Sequence, residues 1–180
     1  MLGNAGAYEE GKPNNTTVSI GCTIESEDPS DIFSSELKNR ENSAPCYDEK
    51  SGFQRYDNDS IASGERANFG YVVAYDVEVQ MDYGSWAPII QGHLTGGTTI
   101  KKIIIRRVIN IKHELVDIQV TTYESCIFKS YKQEGKTIAF SFSYENRQDV
   151  TVARDLDGVK IGQYGVDYSP ATSTGETAEA

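Results

Sequence analysis

From Thr98 to Tyr144 the chain is written almost entirely in residues that prefer strands, and the breaks between the runs are short. Ile100, Ile103, Ile104, Ile105, Val108 and Ile109 mark a run at about 98–110. Leu115, Val116, Ile118 and Val120 mark one at 114–122, Tyr123, Cys126, Phe128 and Tyr131 one at 123–132, and Ile138, Phe140, Phe142 and Tyr144 one at 136–146. β-Branched and aromatic side chains suit a pleated, half-buried surface. Gln133-Glu134-Gly135-Lys136 has the composition of a tight hairpin turn, and Asp157-Gly158 is a second turn signal. This is the material of an all-β fold, a small β-barrel or sandwich.

Upstream the pattern is more varied. Val18, Ile20, Cys22 and Ile24 alternate with polar residues over 16–25, which predicts a half-buried strand. Asp28 or Ser30 can cap a short helix that turns Ile32, Phe33 and Leu37 inward. Residues 39–68 read as one long irregular loop, polar apart from Tyr47, Phe53 and Tyr56, and a connection of that length is usually functional or disordered. A strand is expected over 70–83. Residues 85–97 predict the one packed α-helix: Ser85 is placed as N-cap and Pro88 falls in the first turn. Trp86, Ile89, Ile90 and Leu94 share a stripe, and Gly96-Gly97 supplies the left-handed stop. The organisation expected is an N-terminal arm at 1–15, a single β domain at 16–168, and a polar C-terminal tail at 169–180, so both termini are extended. A length of 180 residues fits one domain.

Lys plus Arg is 17 against 27 Asp plus Glu, a formal charge of −10. That excess argues against a chain whose task is to grip phosphate backbones, although a polyanion can slide past an acidic surface without adhering. Apolar residues make up 38%, low enough to imply a share of solvated loop or tail. The longest apolar stretch, around Ile103, Ile104 and Ile105, is far short of a membrane span, so no membrane insertion is expected. The opening Met1-Leu2-Gly3-Asn4-Ala5 has neither a basic nor an apolar leader region, so no secretory signal is expected. The glycosylation triplets at Asn14, Asn15 and Asn58 carry no weight in that context.

A search for reactive constellations yields little. Cys22, Cys46 and Cys126 cannot all pair within one chain, and none stands at CxxC spacing, which argues against zinc. Free thiols in a reducing compartment are the plainer reading, with Cys22 and Cys126 in core strands. One disulfide, or a bond to a neighbouring subunit, is the alternative, and Cys46 in its polar loop suits that bond best. His93 lies on the helix, and His113-Glu114-Leu115-Val116-Asp117 lacks the second histidine of HExxH. Thr95-Gly96-Gly97-Thr98-Thr99 follows a helix and precedes a strand, the reverse of a phosphate loop. Asp57-Asn58-Asp59 and Asp155-Leu156-Asp157-Gly158 do not continue to the closing Glu of a calcium loop. Lys101-Lys102 and Arg106-Arg107 flank an Ile core and are expected to pair with acids on a neighbouring strand or subunit rather than with phosphate. No catalytic residue, cofactor or metal site is expected, and the chain does not read as an enzyme.

The stretch from Tyr83 to Ile105 resembles the middle of the Hcp family, the tube proteins of type VI secretion, which share a fold with phage tail tube proteins. The carriers are Asp82, Ser85, Pro88, Gly96 or Gly97, and Ile103, Ile104 and Ile105. Downstream, Ser130-Tyr131 and Phe140-Ser141-Phe142 resemble the family's late strand pair. The likeness covers roughly residues 70–146, and Pro88 sits one place later than the commoner spacing.

The resemblance implies a β-barrel with one packed helix that self-assembles into hexameric rings stacked as the hollow inner tube of a contractile injection machine. Sheath and baseplate proteins would be its partners. DNA or an effector would pass through the lumen as cargo without specific binding. Six copies would carry about −60 formally. That acidity favours a phage tail tube, located in the virion, over a type VI secretion or extracellular injection tube made in the bacterial cytoplasm and secreted through the machine. The competing reading is a carbohydrate- or ligand-binding β-sandwich that uses the aromatics of 39–68.

Overall fold

The computed structural model describes residues 20–34, 42–56, 71–111, 114–155, 157–169 and 174–179. Within them run β1 (Ile20–Glu27), β2 (Ser43–Cys46), β3 (Asp48–Lys50), β4 (Phe53–Tyr56), β5 (Tyr71–Ala74) and β6 (Val77–Asp82). Then follow α1 (Trp86–Gly96), β7 (Ile100–Ile111), β8 (Glu114–Glu134), β9 (Thr137–Ser143), β10 (Asn146–Arg154), β11 (Lys160–Ser169) and β12 (Thr174–Glu179).

The architecture turns on β8, which is 21 residues long. One of its edges pairs with β7. The other edge changes partner midway: residues 119–124 pair with β10, and residues 127–134 pair with β9. The change falls at Ser125, whose φ of 54° is unusual for a residue other than glycine. From β9 the sheet curls through β6 to β3, while on the far side β7 pairs with β1 and β1 with β2. The curl brings β2 near β6, but no ladder joins them among the described residues. Instead the chain turns a corner at Tyr47, whose N–H donates to the Gln80 carbonyl at 2.8 Å. The barrel is therefore open. β10, β11 and β12 continue outward from β8 as a three-stranded wing.

The alternation of side chains decides what the curl encloses. In β6, Val77, Val79 and Met81 are buried while Glu78, Gln80 and Asp82 face out. Ile138, Phe140 and Phe142 of β9, Ile24 of β1 and Ile103 and Ile105 of β7 complete the core with Tyr123 and Phe128 of β8. Phe140 lies 6.1 Å from Phe33 and 5.6 Å from Phe128, centroid to centroid, the latter edge to face. Each such side chain contributes about 1.5–3 kcal/mol on burial.

α1 covers one opening of the curl and packs on β8. Ala87 and Ile90 are fully buried, with Trp86, Ile89 and Leu94 packed around them. Ser85 stands at the N-cap position, but its side chain makes no capping bond. The Trp86 indole anchors that end instead: its Nε1–H donates to the Asp82 carbonyl at 2.8 Å. Gly84 is required there, because a Cβ would lie 2.5 Å from the indole ring. Gly97, at φ 62°, ends the helix as its composition predicts.

Several expectations need correction. The segment 39–68 is not one irregular loop: β2, β3 and β4 lie in it, and Ala44 and Cys46 are buried. Their short runs of three or four residues gave no periodic signal. Ile32 and Phe33 are buried in a turn, with no helix over 28–34. The strand expected over 70–83 is two, β5 and β6, with different partners. The runs at 114–122 and 123–132 are one strand. The 169–180 segment, read as a tail, contains β12, paired with β11. The arm at 1–15, Leu37, and residues 39–41 and 57–68 of the long segment lie outside the described residues.

Candidate functional site

The motifs singled out from sequence resolve into structural roles where they are described. Thr95 to Thr99 is the helix stop and the approach to β7; the Thr95 hydroxyl donates back to the Gln91 and Gly92 carbonyls. The Asp155 carboxylate accepts the N–H groups of Asp157 (3.0 Å) and Val159 (2.8 Å), so it closes the β10–β11 turn. Among the described residues no group of three or more His, Cys, Asp or Glu side chains is placed to hold a metal. His93 occupies the last turn of α1, partly exposed. His113 and Asp57, Asn58 and Asp59 lie outside the described residues.

The basic strand is matched cation by cation. Lys101 pairs with Asp28 at 3.1 Å. Lys102 lies 3.8 Å from both Glu27 and Glu124. Arg106 is held between Glu25 (2.7 Å) and Asp117 (2.9 Å), and Arg107 pairs with Glu49 at 3.6 Å. The register explains the Lys102 and Arg106 pairs, since β1 and β8 flank β7 and bring acids to its two sides, while Asp28 lies just past β1 and Glu49 comes from β3. The exposed Lys101 pair is worth no more than about 1 kcal/mol. Together the pairs leave β7 without a free cationic stripe to grip phosphate.

On the face of the sheet away from the core, Glu25, Ile104, Thr122, Gln148 and Asp167 form one cross-strand row. Glu27, Lys102, Glu124 and Asn146 form the next. Over the two rows lies a cleft of about 410 Å³, with Lys102, Glu124 and Asp167 in its lining. Its charges are already mixed, and in the two rows carboxylates outnumber cations.

On the core face the wing is joined to the barrel by polar contacts. Arg147 pairs with Asp149 at 3.2 Å and stacks over Phe53 and Tyr123. Asp149 also accepts both hydrogen bonds from Gln119. The Tyr123 hydroxyl donates to Glu49, and burial pushes its phenol well above the usual range.

Cys22 and Cys46 face each other across the β1–β2 ladder. Both are buried, and their sulfurs lie 2.7 Å apart. The contact with Cys22 and burial together raise the Cys46 thiol above its ordinary range. Cys46 is thus no surface thiol awaiting a neighbouring subunit. Cys126 lies in the core, where burial pushes its thiol up to about 12.

Two exposed apolar surfaces stand on different elements. One is on the wing, where Ile161, Tyr164 and Val166 of β11 are 68%, 61% and 39% exposed. The other surrounds the β4–β5 hairpin, with Tyr47, Phe53, Tyr56 and Tyr75. The hairpin is tied to the wing by the Phe53–Tyr168 stack at 5.1 Å. The sequence reading gave the wing residues no role; their signal was the spaced Ile161, Tyr164, Val166 and Tyr168 after a turn, diluted by Gly162, Gly165 and charged neighbours.

No family model and no curated protein sequence matches the chain. The fold does have solved counterparts. A structure titled as a type six secretion system protein aligns with a TM-score of 0.74 at 10% identity, over 88% of this chain and 100% of its own. Hcp1 from Salmonella typhimurium aligns at 0.61 and 11% identity, over 88% and 99%. Hcp1 from E. coli EAEC 042 aligns at 0.62 and 11% identity, over 85% and 99%. The fold is that of the Hcp-like tube proteins.

Proposed function

We propose that the chain is the tube subunit of a contractile injection machine, assembling as hexameric rings that stack head to tail. The observation that carries this reading is the shared fold, which spans the whole length of the solved Hcp chains. The two exposed apolar surfaces support it. Head-to-tail contacts join two different patches, so a subunit that closes rings and stacks them needs unlike surfaces on separate elements. Exposed apolar clusters of this kind mark interaction sites.

The secretion-type tube is the better reading of its setting, since the solved counterparts are type six secretion or Hcp proteins. On that reading the subunit is made in the bacterial cytoplasm and leaves through the machine. Sheath and baseplate proteins are its partners on that reading, and effectors are its cargo. A phage tail tube remains the second reading, because carboxylates outnumber cations in the two rows on the outer face of the sheet and leave no free cationic stripe to bind DNA. Negative-stain microscopy of the concentrated protein tests assembly. Rings with a central hole, singly or stacked, are expected. Monomers alone across protein and salt concentrations overturn the proposal.

A further inference from the structure

We propose that Cys22 and Cys46 form an oxidation site, at which a peroxide converts the pair into an intrachain disulfide stapling β2 to β1. Three observations meet there. The two residues are direct partners in an antiparallel ladder. Their sulfurs are already in contact at 2.7 Å. Facing residues in such a ladder hold their Cβ atoms about 4.5–5.5 Å apart, and a disulfide needs about 3.5–4.5 Å, so closure takes a shift of about 1 Å or less. Third, β2 is the last strand of its sheet path, and the exposed corner at Tyr47 follows it directly. A small oxidant therefore reaches the pair at an edge, although each residue is only 8% exposed.

The neighbouring cation gives the order of events. Arg107 is the register partner of Cys22 on β7, and a guanidinium beside a thiol favours its thiolate. Cys22 is the attacking sulfur. Its thiolate displaces hydroxide from hydrogen peroxide as the O–O bond breaks, which leaves a sulfenic acid on Cys22. Cys46 then attacks that sulfur, the S–O bond breaks and the S–S bond forms. The hydroxide released takes up the Cys46 proton. Two thiols and one peroxide yield one disulfide and two waters, the pair losing two electrons. Cys126 takes no part: it is fully buried on β8 opposite Ile100, with β7 between it and β1. In a reducing compartment the site stays a dithiol; in an oxidising one it closes.

Trypsin places the three cysteines on separate peptides, which end at Lys38, Lys50 and Lys129. The full-length reduced protein, treated with equimolar hydrogen peroxide, is expected to lose about 2 Da. The first two peptides should become linked, and dithiothreitol should release them. The Cys126→Ser variant should behave identically, whereas Cys22→Ser and Cys46→Ser should lose the link. The oxidised wild type should melt at a higher temperature than the reduced form, and the mapping stands on wild type alone if a variant does not fold. Sulfinic acids without a link, a link through Cys126, or cross-linking only between copies overturns the proposal. The site rests on strand register and not on the tube reading, so a monomeric protein that closes the bond contradicts the latter alone.

Discussion

The barrel and the wing are built from the same long strand, yet they are held together differently. The C-terminal half of β8 joins β9, β6 and α1 around a core of Phe128, Phe140, Phe142, Met81 and Ile90, nearly all inaccessible to solvent. The N-terminal half joins β10, whose residues are almost all half-buried, and then β11, whose apolar side chains largely face solvent. Packing holds the first region. Ladder hydrogen bonds and a polar joint at Arg147 and Asp149 hold the second. The lesson is that a sheet can be extended past its own core through a polar, ring-stacked joint, and the extension then offers exposed apolar side chains to solvent.

The comparison breaks first at Phe140. Phe140→Ala removes a ring packed against Phe33 and Phe128, and chemical denaturation should show a loss of about 3–5 kcal/mol. At the joint, Arg147→Met leaves Asp149, 19% exposed, with Gln119 and Thr121 but no cation, and removes the guanidinium that lies over the Phe53 and Tyr123 rings. A loss of about 2 kcal/mol is expected in the same assay. A loss equal to that of Phe140→Ala would mean that the wing is part of the core after all.

Alkali sharpens the contrast more gently. Cys126 is held as a neutral thiol, with its ionisation moved up to about 12 from an ordinary value near 9. The folded state keeps a proton that the unfolded chain gives up, so stability present below about pH 9 falls as the pH rises toward 12. Cys126→Val should flatten that decline when stability is measured at successive pH values; an unchanged slope would assign the decline elsewhere. The smallest effect on stability belongs to the wing surface. Ile161→Asp should cost less than about 0.5 kcal/mol, yet abolish rings seen by microscopy. Intact rings from that variant would remove β11 from the interface.

Legibility from sequence followed the same division. The core strands showed themselves because period-two alternation and burial coincide, as in Val77, Val79 and Met81. The helix was marked by Pro88 and Gly97. Three kinds of feature stayed hidden. Strands of three or four residues, such as β3, are too short to show a period, so Cys46 read as a loop residue when it faces Cys22 across a ladder. The continuity of β8 was masked at Ser125, where the strand changes partners without ending. The wing lacked a pattern because neither of its faces is fully buried. The basic strand was read correctly as a set of ion pairs: β1 and β8 bring acids to Lys102 and Arg106, whereas the partner of Arg107, Glu49 on β3, comes from outside its neighbours.

The proposed assembly into closed rings of six is open to direct measurement. Light scattering on the full-length protein as it elutes from a sizing column, loaded at rising concentration, measures that directly. A species near 119 kDa, six times the 19.9 kDa chain, is expected, growing into larger stacks as concentration rises. A single species at 19.9 kDa throughout would contradict it.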